Sequence, residues 1–559
     1  MIEQLKQDLS LKLNEKILNK YNVEAQIKAE TPKNRENGDV AFPSFALCKL
    51  LKISPIDASK IVKDILSEFD IIESIDVMGG YVNCTYSKAV LSKMILESIK
   101  KDNKTKDPKT YAIDFSSPNI AKPFFIGHLR STIIGHSLAN ILTYRGHKVV
   151  RIDHLGDFGT QFGKLIYAFK TWGDMEEVRR NPVDTLVALY VRFNKEAESK
   201  PELNDEARRI FKELEEGNVE YRKLWREFKE YSLNEFKRVY NELGVYFDVF
   251  SSEAEASRKS ERVLNLLKEK NLLELDDGAQ IVRLKEPLPP AIIVRRDGAT
   301  LYITRDLEEI HDRYDKYHFD YMLYVVGNEQ KLYFNQLREV VTLMDAPFKD
   351  GIRHINFGLV LSGGKKMATR DGSAVKLDDV LKESIKLAYK HIEDKNPNLD
   401  NKEELSEKIG ISAIIFNDLK NYRENDYEFN LEDATRFEGQ TGPYIQYTSV
   451  RIKSILSQSS LDESLIDTNL FNNDSMFEII KALDSFEDII DKCISEFAPN
   501  YLAKYLLNLS TLFNSFYAKE KVLCEDPKER NTKLYLIKEI NDTLVKGMKL
   551  LGMSEVDKM

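Results

Sequence analysis

One stretch fixes more of this chain's architecture than any other. The apolar run Tyr111 to Phe115 is followed by Ser116-Ser117-Pro118-Asn119-Ile120-Ala121-Lys122-Pro123, and then by Phe124-Phe125-Ile126-Gly127-His128-Leu129-Arg130-Ser131-Thr132. An apolar strand, a loop punctuated by proline and an amphipathic helix, in that order, are how an α/β sheet builds a nucleotide site. The loop brings Gly127 and His128 to the first turn of the helix, where unpaired backbone N–H groups and the helix dipole favour phosphate. Leu129, Ile133, Ile134, Leu138, Ile141 and Leu142 recur at helical spacing on one face, and Gly146 stands where a C-terminal cap would. Lys148 to Leu155 then reads as the next strand. The expected fold class is therefore α/β, a doubly wound, Rossmann-like sheet.

A second signal lies far downstream, in Gly358-Leu359-Val360-Leu361-Ser362-Gly363-Gly364-Lys365-Lys366-Met367-Ala368-Thr369-Arg370-Asp371-Gly372. A glycine-rich loop with adjacent cations can close on a triphosphate; taken alone it reads better as a surface hairpin with solvated lysines. The two strings in this order resemble the class I aminoacyl-tRNA synthetases, and the longer frame resembles arginyl-tRNA synthetases. Phe125-Ile126-Gly127-His128 stands at the HIGH position, with Phe125 for the first histidine. Lys366-Met367-Ala368-Thr369-Arg370 stands at the KMSKS position, with Thr369 for the second lysine, and Lys122 is the compensating lysine that the resemblance implies. It thus implies His128, Lys122 and Lys366 as catalytic groups. Phe125, Gly127, His128, Lys365, Lys366, Met367 and Thr369 are implied as ATP-binding.

An arginine side chain is a planar, permanently charged fork that needs carboxylates and other acceptors aimed at it. Asp114, Asn119, Tyr302, Asp306 and Gln330 match arginine-contacting positions of the family. By resemblance Asp114, Tyr302 and Asp306 take the guanidinium, while Asn119 and Gln330 hold the α-amino end. Read without the family, Tyr302 is a core aromatic and Asp306 a carboxylate near a helix start. Between the motifs, His154-Leu155-Gly156-Asp157-Phe158-Gly159-Thr160-Gln161 resembles the family's Gly-Asp-Trp-Gly-Thr-Gln segment. Gly156, Asp157 and Gln161 are expected to line the crevice at the carboxyl ends of the strands; a structural turn is the other reading.

Length bounds the rest. With 559 residues, 42% hydrophobic and 31% charged, the chain has room for several domains. Three are expected: residues 1–105, an α+β domain that by resemblance touches tRNA; 106–435, catalytic, with a helical insertion at about 170–255 presenting Leu233, Phe236, Tyr240 and Leu243 on one face; and 436–559, an all-α anticodon-binding domain. Tyr81 and Asn83 fall where family members contact RNA, although an alternating strand with Tyr81 in a core fits equally. In the helical domain Tyr444, Tyr447, Arg451, Asn514 and Tyr517 are candidates for anticodon contact, by stacking on bases or meeting phosphate. At helical spacing such aromatics are more often core.

Net charge is −9, so charge alone suggests no nucleic acid, and Tyr501 to Met559 carries ten basic against eight acidic residues. The four cysteines, Cys48, Cys84, Cys493 and Cys524, lack paired spacing and read as buried small hydrophobes. His136 and His147 read as helix-surface and capping residues. No bound structural metal is expected, magnesium arriving with ATP. No long apolar run and no signal peptide are found, so a cytoplasmic location, no membrane contact and a monomer are expected. The implied reaction joins arginine to its tRNA through an arginyl-adenylate, with transfer to the terminal adenosine and no protein nucleophile; the family further implies that tRNA must bind before arginine is activated efficiently. Two rivals stay open: another class I adenylate-forming enzyme, and a tRNA-binding paralogue silenced by Phe125 and Thr369.

Overall fold

The computed structural model describes residues 1–32, 34–256, 261–296, 298, 301–367 and 375–559. Five parallel strands form the central sheet: β1 Thr110–Asp114, β2 Lys148–Leu155, β3 Val249–Ser252, β4 Tyr321–Tyr324 and β5 Ile352–His354. Their spatial order is β5-β4-β1-β2-β3. The chain winds outward from β1 to β3, then returns to add β4 and β5 on the other side, so the direction reverses between β1 and β4. That is the doubly wound arrangement expected, and its reversal point is where such sheets bind ligands.

The sheet is covered by helices whose apolar faces meet it. Ala112, Ile152, Met322 and Ile352 of the strands share a core with Leu307 and Ile310 of one helix and Leu337 and Val340 of another. Each of the larger of these side chains, the leucines, isoleucines, valine and methionine, contributes roughly 1.5–3 kcal/mol on burial. The helix after the first loop, α1, spans Ile126–Tyr144 and ends before Gly146, whose φ is 91°. It is buried on more than its apolar face: Arg130, Ser131, Thr132, His136 and Ser137 are also buried. At Gly135 a Cβ would lie 2.3 Å from the Phe115 ring, so only glycine lets helix and strand approach this closely.

This burial corrects the surface reading of His136, which is 5% exposed. His147 accepts the Lys109 N–H at 3.1 Å through Nδ1. Of the cysteines, Cys84 and Cys493 are buried, whereas Cys48 and Cys524 are only partly so.

The insertion is helical, with helices Met175–Arg180, Pro182–Ser199, Glu202–Glu216 and the long α2, Val219–Leu243. Phe236, Tyr240 and Leu243 of α2 are buried. Further on come α3, Tyr302–Tyr317, and α4, Lys331–Leu343. The lysine loop forms a small sheet: Val360–Ser362 pairs antiparallel with Lys365–Lys366 and parallel with Tyr427–Glu428.

Two compact units result, one of residues 104–446, 490–504 and 547–559, the other of 1–103, 447–489 and 505–546. In the second, the strands Val40–Pro43, Ile72–Met78 and Tyr81–Tyr86 form an antiparallel sheet beside helices. Helix Lys88–Ser98 packs there against helix Asp474–Asp484.

Candidate active site at the sheet reversal

The loop after β1 departs from ordinary backbone geometry. Ser116, Ser117 and Ala121 have φ of 71°, 47° and 58°, each costing on the order of 1–3 kcal/mol for a residue with a side chain. All three N–H groups are met by side chains from other elements. Ser116 donates to Ser131 Oγ at 2.8 Å, Ser117 to Asp153 Oδ1 at 3.2 Å, and Ala121 to Ser232 Oγ at 3.1 Å. The insertion therefore buttresses the loop: Tyr240 donates to Asp153 Oδ2 at 3.0 Å, and Phe124 meets the Phe236 and Tyr240 rings edge-on. Burial above all lifts the Asp153 carboxyl to about 8, an increase the Tyr240 hydrogen bond only partly opposes.

The loop delivers Phe125 as the N-cap of α1, and its N–H donates to His128 Nδ1 at 3.0 Å. With Nδ1 occupied as an acceptor, neutral His128 carries its proton on Nε2. Burial first, and Lys122 second, push the His128 imidazole down to about 4, so the ring is neutral at pH 7 and acts as a directed N–H donor. Gly127 is exposed, and a Cβ there would meet nothing within 4 Å.

Opposite this turn stands the segment leading into the lysine hairpin. Phe125, Ile126, Gly127, His128 and Arg130 line one wall of a cavity of about 300 Å³; Gly327, Glu329, Phe357 to Val360, Lys366 and Met367 line the other. The two motifs thus share one cavity. Gly363 and Gly364 turn the hairpin with φ of 61° and 74°, and their N–H groups donate to Glu428 at 3.0 and 2.6 Å. Lys365 and Lys366 are exposed. Thr369 lies outside the described residues, as do Ala368, Arg370, Asp371 and Gly372. Lys122 sits with Gln161 on a small neighbouring cavity of about 20 Å³.

The residues expected for arginine are spread around the carboxyl ends of β1 and β4. Asp114 is buried; it accepts from Ser117 Oγ at 2.7 Å and pairs with Arg313 at 2.7 Å. Asp306 on α3 accepts from the Tyr333 hydroxyl. Burial raises its carboxyl to about 6 against the pull of that hydrogen bond. Tyr302 is 65% exposed, with Arg305 over its ring at 5.6 Å, so it is not a core aromatic. Asn119 bridges to Gly156, where a Cβ would lie 2.3 Å from Asn119 Oδ1. Gln330 is exposed at the start of α4.

Asp157 corrects the expectation that it lines the crevice. It is fully buried, with its carboxylate taken by Lys229 at 2.6 Å, Ser252 Oγ at 2.6 Å and the Ala254 N–H at 3.1 Å. That segment is a structural turn at this position.

Comparison with known proteins decides the family. The model of tRNA synthetases class I (R), catalytic domain, matches residues 90–431. The arginyl tRNA synthetase N terminal domain matches 3–86, and the DALR anticodon binding domain matches 445–559. The chain belongs to the arginyl-tRNA synthetase family. Arginine–tRNA ligases of Pediococcus pentosaceus and Ligilactobacillus salivarius are 43% and 44% identical over 97% and 95% of this chain, and 98% and 95% of those proteins. Two solved arginyl-tRNA synthetases share the fold. That of Thermus thermophilus is 23% identical with a TM-score of 0.78, covering 99% of this chain and 100% of that one; that of Plasmodium falciparum is 24% identical with a TM-score of 0.76, covering 99% of each.

The RNA candidates of this synthetase-family chain fall into two groups. Tyr81 is 41% exposed and meets the Phe45 ring edge-on at 5.3 Å, itself exposed. Asn83, on the same face of the strand, is 7% exposed. Of the helical candidates, Tyr447, Arg451, Asn514 and Tyr517 touch one another. Arg451 donates to Asn514 Oδ1 at 2.6 Å and to the Tyr447 hydroxyl at 3.2 Å, and lies over the Tyr517 ring at 5.6 Å. Tyr444 is half-buried on the same helix and belongs to the other compact unit.

Sequence reasoning missed a charge network that reaches Asp114, one of the residues expected to contact arginine. His154 pairs with Glu309 at 2.9 Å, and Glu309 with Arg313 at 2.6 Å, which in turn holds Asp114. Burial alone would neutralise these groups, but Glu309 outweighs it and raises His154 to about 9, while Arg313 and His154 hold Glu309 near 2. Glu253, at the end of β3, adds a further carboxylate paired with Arg305 at 3.3 Å. The i,i+4 spacing of Glu309 and Arg313 was the one signal of this network in the sequence.

No helix among the described residues is long and apolar enough to cross a membrane. Among those residues no group of three or more His, Cys, Asp or Glu could hold a metal ion.

Proposed function

We propose that the cavity between α1 and the lysine hairpin binds ATP, and that arginine lies beside it over β1, β4 and α3. The carboxylate of arginine would then attack the α-phosphorus, expelling pyrophosphate, and the arginyl group would pass from the adenylate to a hydroxyl of the terminal adenosine of its tRNA, with AMP leaving. This is the arginine–tRNA ligation of the family. The observation that carries the reading is the shared cavity of His128 and Lys366, two residues far apart in sequence.

Charge placement does the chemistry. His128 Nε2–H, Lys122 and Lys366 are the donors and cations for oxygens that gain charge as the bond to phosphorus changes, with Gly127 leaving room for the nucleotide. Phe125 and Met367 line the cavity from its two opposite walls, and Lys365 is the exposed neighbour of Lys366 on the hairpin. Glu329 is the carboxylate on the cavity wall that would hold a magnesium ion arriving with ATP, whose charge would offset that of the phosphates. Asp306, with Tyr302 above it, reads the guanidinium; Asp114 contributes through its charge next to Arg313, and Asn119 and Gln330 address the α-amino end. Pairing geometry of this kind excludes lysine, whose single ammonium cannot fill fork-shaped acceptors.

For tRNA we assign residues 1–105 and 436–559 to binding and 106–435 to catalysis. Tyr81 is the exposed aromatic for the first, with Asn83 beneath it; Tyr444, Tyr447, Arg451, Asn514 and Tyr517 are the candidates in the second. The protein would act as a cytoplasmic monomer.

Amino-acid-dependent pyrophosphate exchange into ATP tests the reading. Exchange with arginine alone, stimulated by arginine tRNA, is the expected result. Exchange with another amino acid, or RNA binding with no exchange under any condition, would contradict it.

A further inference from the structure

Arg130 stands two residues beyond Phe125-Ile126-Gly127-His128, and its side chain joins the two walls of the cavity. Its backbone belongs to the second turn of α1, and its side chain is 1% exposed. Nη1 donates to the Gly358 carbonyl at 2.7 Å and to the Asn425 carbonyl at 3.0 Å, while Nε pairs with Asp418 at 3.0 Å. The guanidinium lies over the Tyr427 ring at 5.0 Å and the Phe357 ring at 5.7 Å. Gly358 opens the segment that becomes the lysine hairpin, and Tyr427 begins the strand on which that hairpin is registered, Val360 opposite Tyr427 and Leu361 opposite Glu428.

Each contact is dictated by a close fit. A Cβ at Gly358 would lie 2.5 Å from the Asn425 carbonyl carbon, so glycine alone lets the two backbones come within reach of one guanidinium. A buried arginine must have its charge answered, and Asp418 does so on the side away from the cavity. Arg423 extends the same tie: it donates to the Asn356 carbonyl at 2.6 Å and to the Phe497 carbonyl at 3.0 Å, while its own carbonyl accepts from the Gly358 N–H at 2.9 Å.

We propose that Arg130 is a positioning residue for nucleotide activation, setting the separation between His128 on one wall of the cavity and the lysine hairpin on the other. The proposal rests on the nucleotide reading of that cavity, but not on which residues hold arginine. A planar fork fixes two carbonyls and a carboxylate in one geometry; a lysine ammonium keeps the charge and loses the geometry. Misplacement of about 1 Å between reacting groups is enough to cost roughly 10²-fold in rate.

The test uses the full-length chain, with exchange by the parent protein established first, so that failure of the nucleotide reading shows up in the parent and not in the variants. Two variants are compared in pyrophosphate exchange, with thermal melting to establish folding: R130K, and the double variant R130M/D418L, which removes both buried charges together. Both are expected to lower kcat at least tenfold and to raise the KM for ATP, with the KM for arginine within twofold. A folded variant with kcat within twofold of the parent would overturn the proposal, as would a rise in both KM values together with unchanged kcat. Loss of folding in both variants would overturn it in favour of a purely structural tie.

Discussion

At Asp306, burial and charge pull in opposite directions, and the balance makes a titration that can be followed. The carboxyl stands at about 6 in the folded protein against 3.8 for an unperturbed aspartate. With the folded value raised, its contribution to stability is present below 3.8 and is lost as pH rises through 6. A bound guanidinium does the reverse, because it favours the ionised form, so arginine affinity gains from pH up to about 6 and is flat above. The KM for arginine should therefore rise as pH falls below 6, approaching about tenfold per pH unit, and D306N should lose that slope. A parent KM that is constant from pH 7 to 5 would contradict the role. His128, held down at about 4 by burial and Lys122, adds no limb in that window. The sequence made both residues visible, since their types and positions match motifs. It hid what sets their chemistry: the Phe125 N–H that fixes the His128 tautomer is local, but Tyr333 beside Asp306 and Arg313 beside Asp114 arrive through the fold.

Among elements, the lysine hairpin shows how little sequence is needed to build a functional turn. Gly363 and Gly364 both occupy left-handed backbone, the requirement of a two-residue turn between antiparallel strands. At Gly364 a Cβ would meet nothing within 4 Å, so a substitution there acts through backbone strain, not through collision. A β-branched residue costs roughly 1–2 kcal/mol in that conformation, which corresponds to roughly a 5- to 30-fold effect. G364V is expected to raise the KM for ATP by about that factor with the KM for arginine unchanged, whereas G364N, which tolerates the conformation, should remain close to the parent. Equal behaviour of G364V and the parent would show that the turn does not position Lys365 and Lys366. Strand β2 and the span of α1 followed directly from apolar spacing and Gly146, because both are local patterns. The role of α2 did not. Its apolar face reads as an ordinary helical stripe, yet Ser232 and Tyr240 reach across to hold the strained loop after β1, a long-range pairing with no periodic signature.

For the whole molecule, the sheet order is the fact from which function follows. The reversal between β1 and β4 places Asp114 and the carboxyl end of β4 together, with Arg313 of α3 paired to Asp114. Motif order in the chain already implied such a sheet, because strand, loop and helix alternate and the second motif follows a late apolar run. What composition could not convey is where nucleic acid would be met. With a net charge of −9, any attraction for RNA is local, and the cluster of Tyr447, Arg451, Asn514 and Tyr517 is assembled from two helices distant in sequence. The proposed function puts a guanidinium and an adenylate phosphate side by side at this reversal. A crystal structure with a non-hydrolysable arginyl-adenylate analogue tests it most directly. The expected result is the guanidinium within hydrogen-bonding distance of the Asp306 carboxylate and the phosphate against His128 Nε2 in the cavity shared with Lys366. An analogue bound with its guanidinium away from Asp306, or with its phosphate outside that cavity, would contradict it.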